Sequence, residues 1–135
     1  MPQTRQLLDT LAVSFRPEVS SEHLAAAIDA MLECEEAVTA CAAAMVGEDD
    51  VRELHDAIIR DLNCSDTVAT TRRLISRGSD AALLSAQLEA CVIACEHSAE
   101  RCAEHAHHHE HCRICSQATL RCAEACRQIL HRLHG

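Results

Sequence analysis

Residues 91–126 read CVIACEHSAERCAEHAHHHEHCRICSQATLRCAEAC, and the rest of the chain is organised around this stretch. It holds seven of the ten cysteines and most of the ten histidines, and neither glycine nor proline interrupts it. The thiols fall at positions 91, 95 and 102, then at 112, 115, 122 and 126. Steps of three, four and seven residues return to one face of an α-helix. The spacing therefore predicts two helices, each with its cysteines in a single row. Between them, EHAHHHEH is either a tight connection or the frayed end of the first helix.

Working outward, composition supports helices throughout. The chain has 135 residues, which fits one domain able to bury a core without disulfides. One phenylalanine (Phe15), no tyrosine and no tryptophan leave Ala, Leu, Ile, Val, Met and Cys to fill the interior. Three glycines and two prolines make few turns. Abundant alanine favours helix over sheet. The net charge is −9 and every basic residue is arginine, with no basic cluster, so phosphate backbones would be repelled. Nucleic acid is thus not an expected partner.

The first residues, MPQTRQLLDTLAVSFRPE, contain no secretory apolar core and carry Asp9 in their middle. Nowhere do about 18 consecutive apolar residues occur, so no membrane association is expected. The expected location is cytoplasmic. There thiols stay reduced, and ten cysteines read as ligands rather than as a disulfide framework.

Residues 4–15 make a short amphipathic segment with Leu7, Leu8, Leu11 and Phe15 on one side, ended by Arg16-Pro17. The expected organisation is a short N-terminal helix within residues 1–19 and a bundle over 20–135. The first long helix should run from an N-cap at Ser20 or Ser21 to Val46, with Gly47 left-handed after it. The second should start near Asp50, where Asp50 and Glu53 resemble a capping box, and end before Gly78. The third should be capped by Ser79 or Asp80 and reach His107, and the fourth should span about 111–133. Four helices of this length with short connections predict an all-α, up-down-up-down four-helix bundle.

Alternating three- and four-residue steps mark the inward row of such a bundle. On the first long helix the row is Ala27, Met31, Cys34, Val38, Cys41 and Met45. On the second it is Leu54, Ala57, Asp61, Cys64, Val68, Thr71 and Ile75. The third gives Leu88, Cys91, Cys95, Ser98, Cys102, His105 and His109. The fourth gives Cys112, Cys115, Thr119, Cys122, Cys126, Ile129 and Leu133. All ten cysteines share the inward rows. Topology places Met45 at the same end as His105, His107, His108, His109 and His111, sets Cys102 facing Cys112 and Cys115, and sets Cys91 and Cys95 opposite Cys122 and Cys126, so the expectation is a thiol-lined tube with an imidazole- and thioether-rich mouth.

Cysteines four apart, such as 91/95 and 122/126, rise about 6 Å along a helix yet can converge on one ion. A row of soft thiolates suits Cu(I) first. Zinc is the rival, since Cys112-x2-Cys115 with nearby histidine could form a tetrahedral site. Iron–sulfur and covalent haem spacings are absent. A single cysteine such as Cys34 or Cys64 is equally well a small core hydrophobe, whereas ten in register are not, because leucine would fill a bundle better. The histidines read as well as an exposed loop as a ligand set, and Met31 and Met45 more readily as core. Asp61 is costly in an interior unless partnered, and so is expected beside a ligand or a local opening.

The segments TACAAAMVGEDDVREL, LNCSDTVATTRRLISR and above all HHEHCRICSQATLRCAEACRQIL resemble the bacterial copper-storage family, Cys-rich four-helix bundles, and in particular its cytosolic members. The resemblance implies several Cu(I) ions on Cys34, Cys41, Cys64, Cys91, Cys95, Cys102, Cys112, Cys115, Cys122 and Cys126. It also implies His105, His109 and Met45 as ligands at the open end, and a homo-oligomer, either tetramer or dimer. Met31, Val38, Met45, Ala57, Val68, Ser98 and Thr119 stand where richly loaded members carry further cysteines. This leaves fewer ions, a mixed Cys/His/Met site or a different metal open. The expected function is non-enzymatic sequestration of Cu(I) for storage or detoxification. The alternative is a zinc- or copper-responsive interaction module with a single site. An enzyme has least support, because no acid–base constellation accompanies the thiols.

Overall fold

The structure is a computed structural model that describes residues 2–10 and 19–134, with the backbone alone for Pro2. Five helices follow one another: α1 (Pro2–Asp9), α2 (Ser21–Val46), α3 (Val51–Arg77), α4 (Ala81–His105) and α5 (Glu110–His134). Each of the four long helices packs against two others, α2 on α3 and α5, α4 on α3 and α5. The result is the up-down-up-down bundle, with α1 laid against α2. Leu8 is buried, whereas Leu7 faces solvent, so the two do not share a packed side as expected. Leu11, Phe15 and the Arg16-Pro17 stop lie outside the described residues.

The helix ends follow local chemistry, with two departures from expectation. Ser20 caps α2 by accepting the His23 amide at 3.2 Å, and Asp80 caps α4 by accepting the Leu83 amide at 3.0 Å. Gly47 is not left-handed: its φ is −85°, and its amide bonds to Ala44 O at 3.1 Å, followed by Glu48 to Met45 O at 3.2 Å. Helix α2 thus tightens into i→i+3 bonds and leads straight into the short link to α3. Asp50 makes no capping-box bond, because its carboxylate is engaged by His109 at 3.2 Å. The Glu53 amide bonds to the Asp50 carbonyl instead, at 2.9 Å. The left-handed glycine is Gly78, with φ of 77°, which closes α3 by donating to Leu74 and Ile75 carbonyls. Helix α4 stops at His105 rather than His107, a turn occupies residues 106–108, and α5 starts at Glu110, one residue early.

Every inward residue expected on α2, α3 and α5, and those of α4 up to Cys102, is buried. Depth along the bundle divides this interior by chemistry. One end is plugged by Leu24, Ile75, Leu84, Leu88, Ile129 and Leu133, all essentially inaccessible. Burying each such side chain contributes about 1.5–3 kcal/mol, a contribution that involves no metal ligand. Arginines tie the outside together. Arg72 of α3 grips Glu35 of α2 with both arms, at 2.6 and 3.2 Å, and Arg121 and Arg127 of α5 pair with Glu33 of α2 and Glu96 of α4. Among the described residues no helix is long and apolar enough to cross a membrane.

Candidate metal centre

All ten cysteines are free thiols and all are buried. Their contacts run mainly between helices. Cys41 of α2 meets Cys112 of α5 at 3.9 Å, and Cys102 of α4 meets Cys115 of α5 at 3.6 Å. Deeper in, Cys64 of α3 stands 3.8 Å from Cys34 and 3.7 Å from Cys95, and Cys91 meets Cys126 at 3.5 Å. Sulfurs bound to one ion at about 2.3 Å lie about 4 Å apart, so these thiols already hold the spacing that a shared ion requires. The pairs drawn from sequence fare differently. Cys122 and Cys126 converge together with Cys91, and Cys95, which also hydrogen-bonds Cys91, groups with Cys34 and Cys122.

Two clusters emerge. Near the mouth, Cys41, Cys102 and Cys115 surround Asp61, and Cys41 and Cys112 also surround His111; in each set the donor atoms lie within 4.8 Å of one another. The deeper cluster comprises Cys34, Cys64, Cys95, Cys122, Cys91 and Cys126. Val38, Ser98 and Thr119 occupy the inward positions between the two on α2, α4 and α5, and all three are buried. Cys34 and Cys64 complete the deep cluster, and Cys41 belongs to the outer one.

Thiols in such contact share protons. Cys34 is pushed well below the ordinary thiol value because Cys122, Cys64 and Cys95 donate to it, and Cys91 is lowered by Cys122, Cys126 and Cys95 in the same way. Cys95 and Cys122 are raised, chiefly as the donors in hydrogen bonds to Cys122 and Cys126 respectively. In the outer cluster Cys41 is raised as a donor, first to Cys102, while Cys115 is lowered to about 6, first by Cys102 and then by Cys41. Each cluster therefore has thiols predisposed to ionise, and an arriving cation displaces the remaining protons.

Asp61 sits where a buried carboxylate was expected to need partners. Ser98 donates to it at 2.6 Å, and the Cys102 and Cys115 thiols approach at 3.4 and 3.6 Å. Burial nonetheless dominates and raises its pKa from 3.8 to about 6.

The mouth is more differentiated than the sequence suggests. His111 places Nδ1 3.4 Å from the Cys41 sulfur and 3.5 Å from that of Cys112, with Nε2 3.2 Å from Glu48. His109 faces Asp50 and Glu48 instead, and Asp50 raises its pKa through a hydrogen bond. His105 is half-buried and joins none of the donor groups, and His107 and His108 are exposed, with rings 3.7 Å apart. Met45 is fully buried. Sequence reasoning placed His111 at the mouth but not among the ligands, because it lies off the inward row. Its adjacency to Cys112 was the available signal.

Fold and site together define a helical-bundle metal-binding protein that holds its cargo on internal thiols. Residues 20–131 match the profile of the copper storage protein family, and the chain belongs to that family. It is similar to the copper storage protein Ccsp from Streptomyces lividans loaded with 10 copper equivalents, at 37% identity and a TM-score of 0.90, over 95% of this chain and 98% of that one. A cytosolic copper storage protein from Streptomyces lividans, in a five-copper state, is 39% identical with a TM-score of 0.80, over 82% and 93% of the two chains. A histidine-to-alanine variant of Ccsp from the same organism is 38% identical, with a TM-score of 0.83, over 85% and 98%. No curated protein sequence matches the chain.

Proposed function

We propose that this protein sequesters several Cu(I) ions on Cys34, Cys41, Cys64, Cys91, Cys95, Cys102, Cys112, Cys115, Cys122 and Cys126, storing copper or lowering its free concentration in the cytosol. The observation that carries this reading is the spacing of the buried thiols, 3.5–3.9 Å between neighbours on different helices. That spacing lets several thiolates share one ion, and a run of ten buried thiols suits many soft ions such as Cu(I) better than zinc, which takes four ligands at a closed site. Membership of the copper storage family and the copper-loaded relatives support the choice of metal.

The reading is one of binding rather than catalysis, with residues 20–135 as the storage unit and residues 1–19 as an appendage. His105, His109 and Met45 belong to the mouth through which ions enter, and His111 is the imidazole there that meets the thiols of Cys41 and Cys112. Assembly into a homodimer or tetramer is part of the proposal. Anaerobic titration of the reduced protein with Cu(I) against a competing chelator tests the function. The expected result is several tightly bound ions per chain; a single weak ion refutes storage.

A further inference from the structure

At the mouth, two imidazoles each have one nitrogen engaged and the other turned to the same carboxylate. His109 meets Asp50 through Nε2 at 3.2 Å, and its Nδ1 stands 3.6 Å from Glu48. His111 meets the Cys41 and Cys112 sulfurs through Nδ1, and its Nε2 stands 3.2 Å from Glu48. The two rings stack, with centroids 5.1 Å apart and planes 19° from parallel. Glu48, His109 and His111 each bring a donor atom within 4.8 Å of the other two.

We propose that Glu48, His109 and His111 form a separate site for a borderline divalent cation of the zinc class, distinct from the thiol clusters. The donor chemistry selects the ion. Two imidazole nitrogens and one carboxylate oxygen suit Zn²⁺ and its first-row neighbours, whereas Cu(I) prefers the sulfurs beyond. Three protein ligands with a remaining position open to water are a familiar zinc arrangement. The outer partners are in place as well. Asp50 accepts the Nε2–H of His109 and so leaves Nδ1 with the lone pair, and the Cys41 and Cys112 sulfurs can accept the Nδ1–H of His111, which frees Nε2. Such partners fix the tautomer and raise the basicity of a metal-binding imidazole. A divalent ion also offsets the repulsion between Glu48 and Asp50 on a chain of net charge −9.

The site has a consequence for loading, which rests on the copper reading above although the site itself does not. One neutral imidazole cannot offer lone pairs from both nitrogens. An ion on Nε2 of His111 keeps the proton on Nδ1 and withdraws that nitrogen from copper entering towards Cys41 and Cys112. Divalent occupancy therefore slows copper entry.

Anaerobic titration of the reduced protein with Co²⁺, as a spectroscopic substitute for Zn²⁺, tests the site. The expected result is one cobalt per chain with ligand-field bands and no sulfur-to-cobalt charge-transfer band. Glu48→Gln and Asp50→Asn should each weaken that species about tenfold or more. Broadening of the His109 and His111 ring resonances by the first equivalent of cobalt gives a readout that requires no variant. Cobalt that enters only with the sulfur charge-transfer band, or binds equally well to Glu48→Gln, overturns the proposal. In a second arm, one equivalent of Zn²⁺ should slow Cu(I) uptake by the wild type and not by Glu48→Gln; equal slowing of both overturns the loading consequence. The number of Cu(I) ions finally bound, measured on the same samples, reports on storage independently.

Discussion

Asp61→Asn removes the one carboxylate buried among the thiols, and the structure sets the size of the effect. Burial raises the Asp61 pKa from 3.8 to about 6. A displacement of that size is worth about 3 kcal/mol between the two protonation states. The sign follows from proton linkage. The folded state holds this proton more tightly than the unfolded chain, so the stabilisation is complete below the unfolded value near 4. It is lost as pH rises through about 6. The wild type should therefore give up about 3 kcal/mol between pH ~4 and pH ~7 on account of this group.

Asparagine carries no charge, can accept the Ser98 hydrogen bond through its amide oxygen, and can direct its amide hydrogens at the Cys102 and Cys115 sulfurs. For a chain of this length 3 kcal/mol corresponds to about 10 °C in melting temperature. Thermal unfolding of the reduced, metal-free protein, at fixed protein concentration and under anaerobic conditions, provides the assay. The variant and the wild type should melt together near pH 4 and diverge by about 10 °C in favour of Asp61→Asn at neutral pH. A difference independent of pH, or a variant less stable than wild type at pH 7.5, would refute the argument that desolvation governs Asp61.

Other expectations follow from the same geometry. Cys64→Ser removes the sulfur lying between Cys34 and Cys95, and should lower the Cu(I) stoichiometry by about one ion without altering far-UV circular dichroism. Leu88→Ala opens the apolar plug and should cost about 2–5 kcal/mol in chemical denaturation while leaving the copper count unchanged. Gly78→Ala places a side chain on left-handed backbone and should cost about 1–2 kcal/mol in the same measurement. Apparent Cu(I) affinity should rise with pH across the neutral range, because thiols such as Cys41, Cys95 and Cys122 that are held protonated must release their protons; a flat competition titration would contradict this. The metal-free chain should keep its far-UV helix signal, since its plug and caps involve no thiol.

Helix number, the inward rows (on α4 as far as Cys102, not on to His105 and His109) and the burial of all ten cysteines were legible in the sequence, because a three- and four-residue repeat of thiols and aliphatics permits one packed face per helix. Leu54 through Ile75 on α3 shows how far this goes, since each inward position written from periodicity is buried. Position along the axis was legible within the α4–α5 hairpin, where Cys102 meets Cys115 and Cys91 meets Cys126 as the topology requires. It was not legible for Cys34, Cys41 and Cys64, because which thiols they meet depends on how α2 and α3 are staggered against that hairpin.

Local rules also yielded where tertiary contacts competed for the same atoms. Asp50 carries a capping-box signature, but the imidazole of His109, 59 residues away, takes its carboxylate. His111 lies off the inward row, yet the turn of residues 106–108 swings its ring between Glu48 and the Cys41 sulfur. The sequence by itself determined a thiol-lined helical bundle, because periodicity acts within each helix. The tertiary structure alone decided which cluster Cys34, Cys41 and Cys64 each join and which imidazole touches sulfur, because those contacts depend on packing between helices.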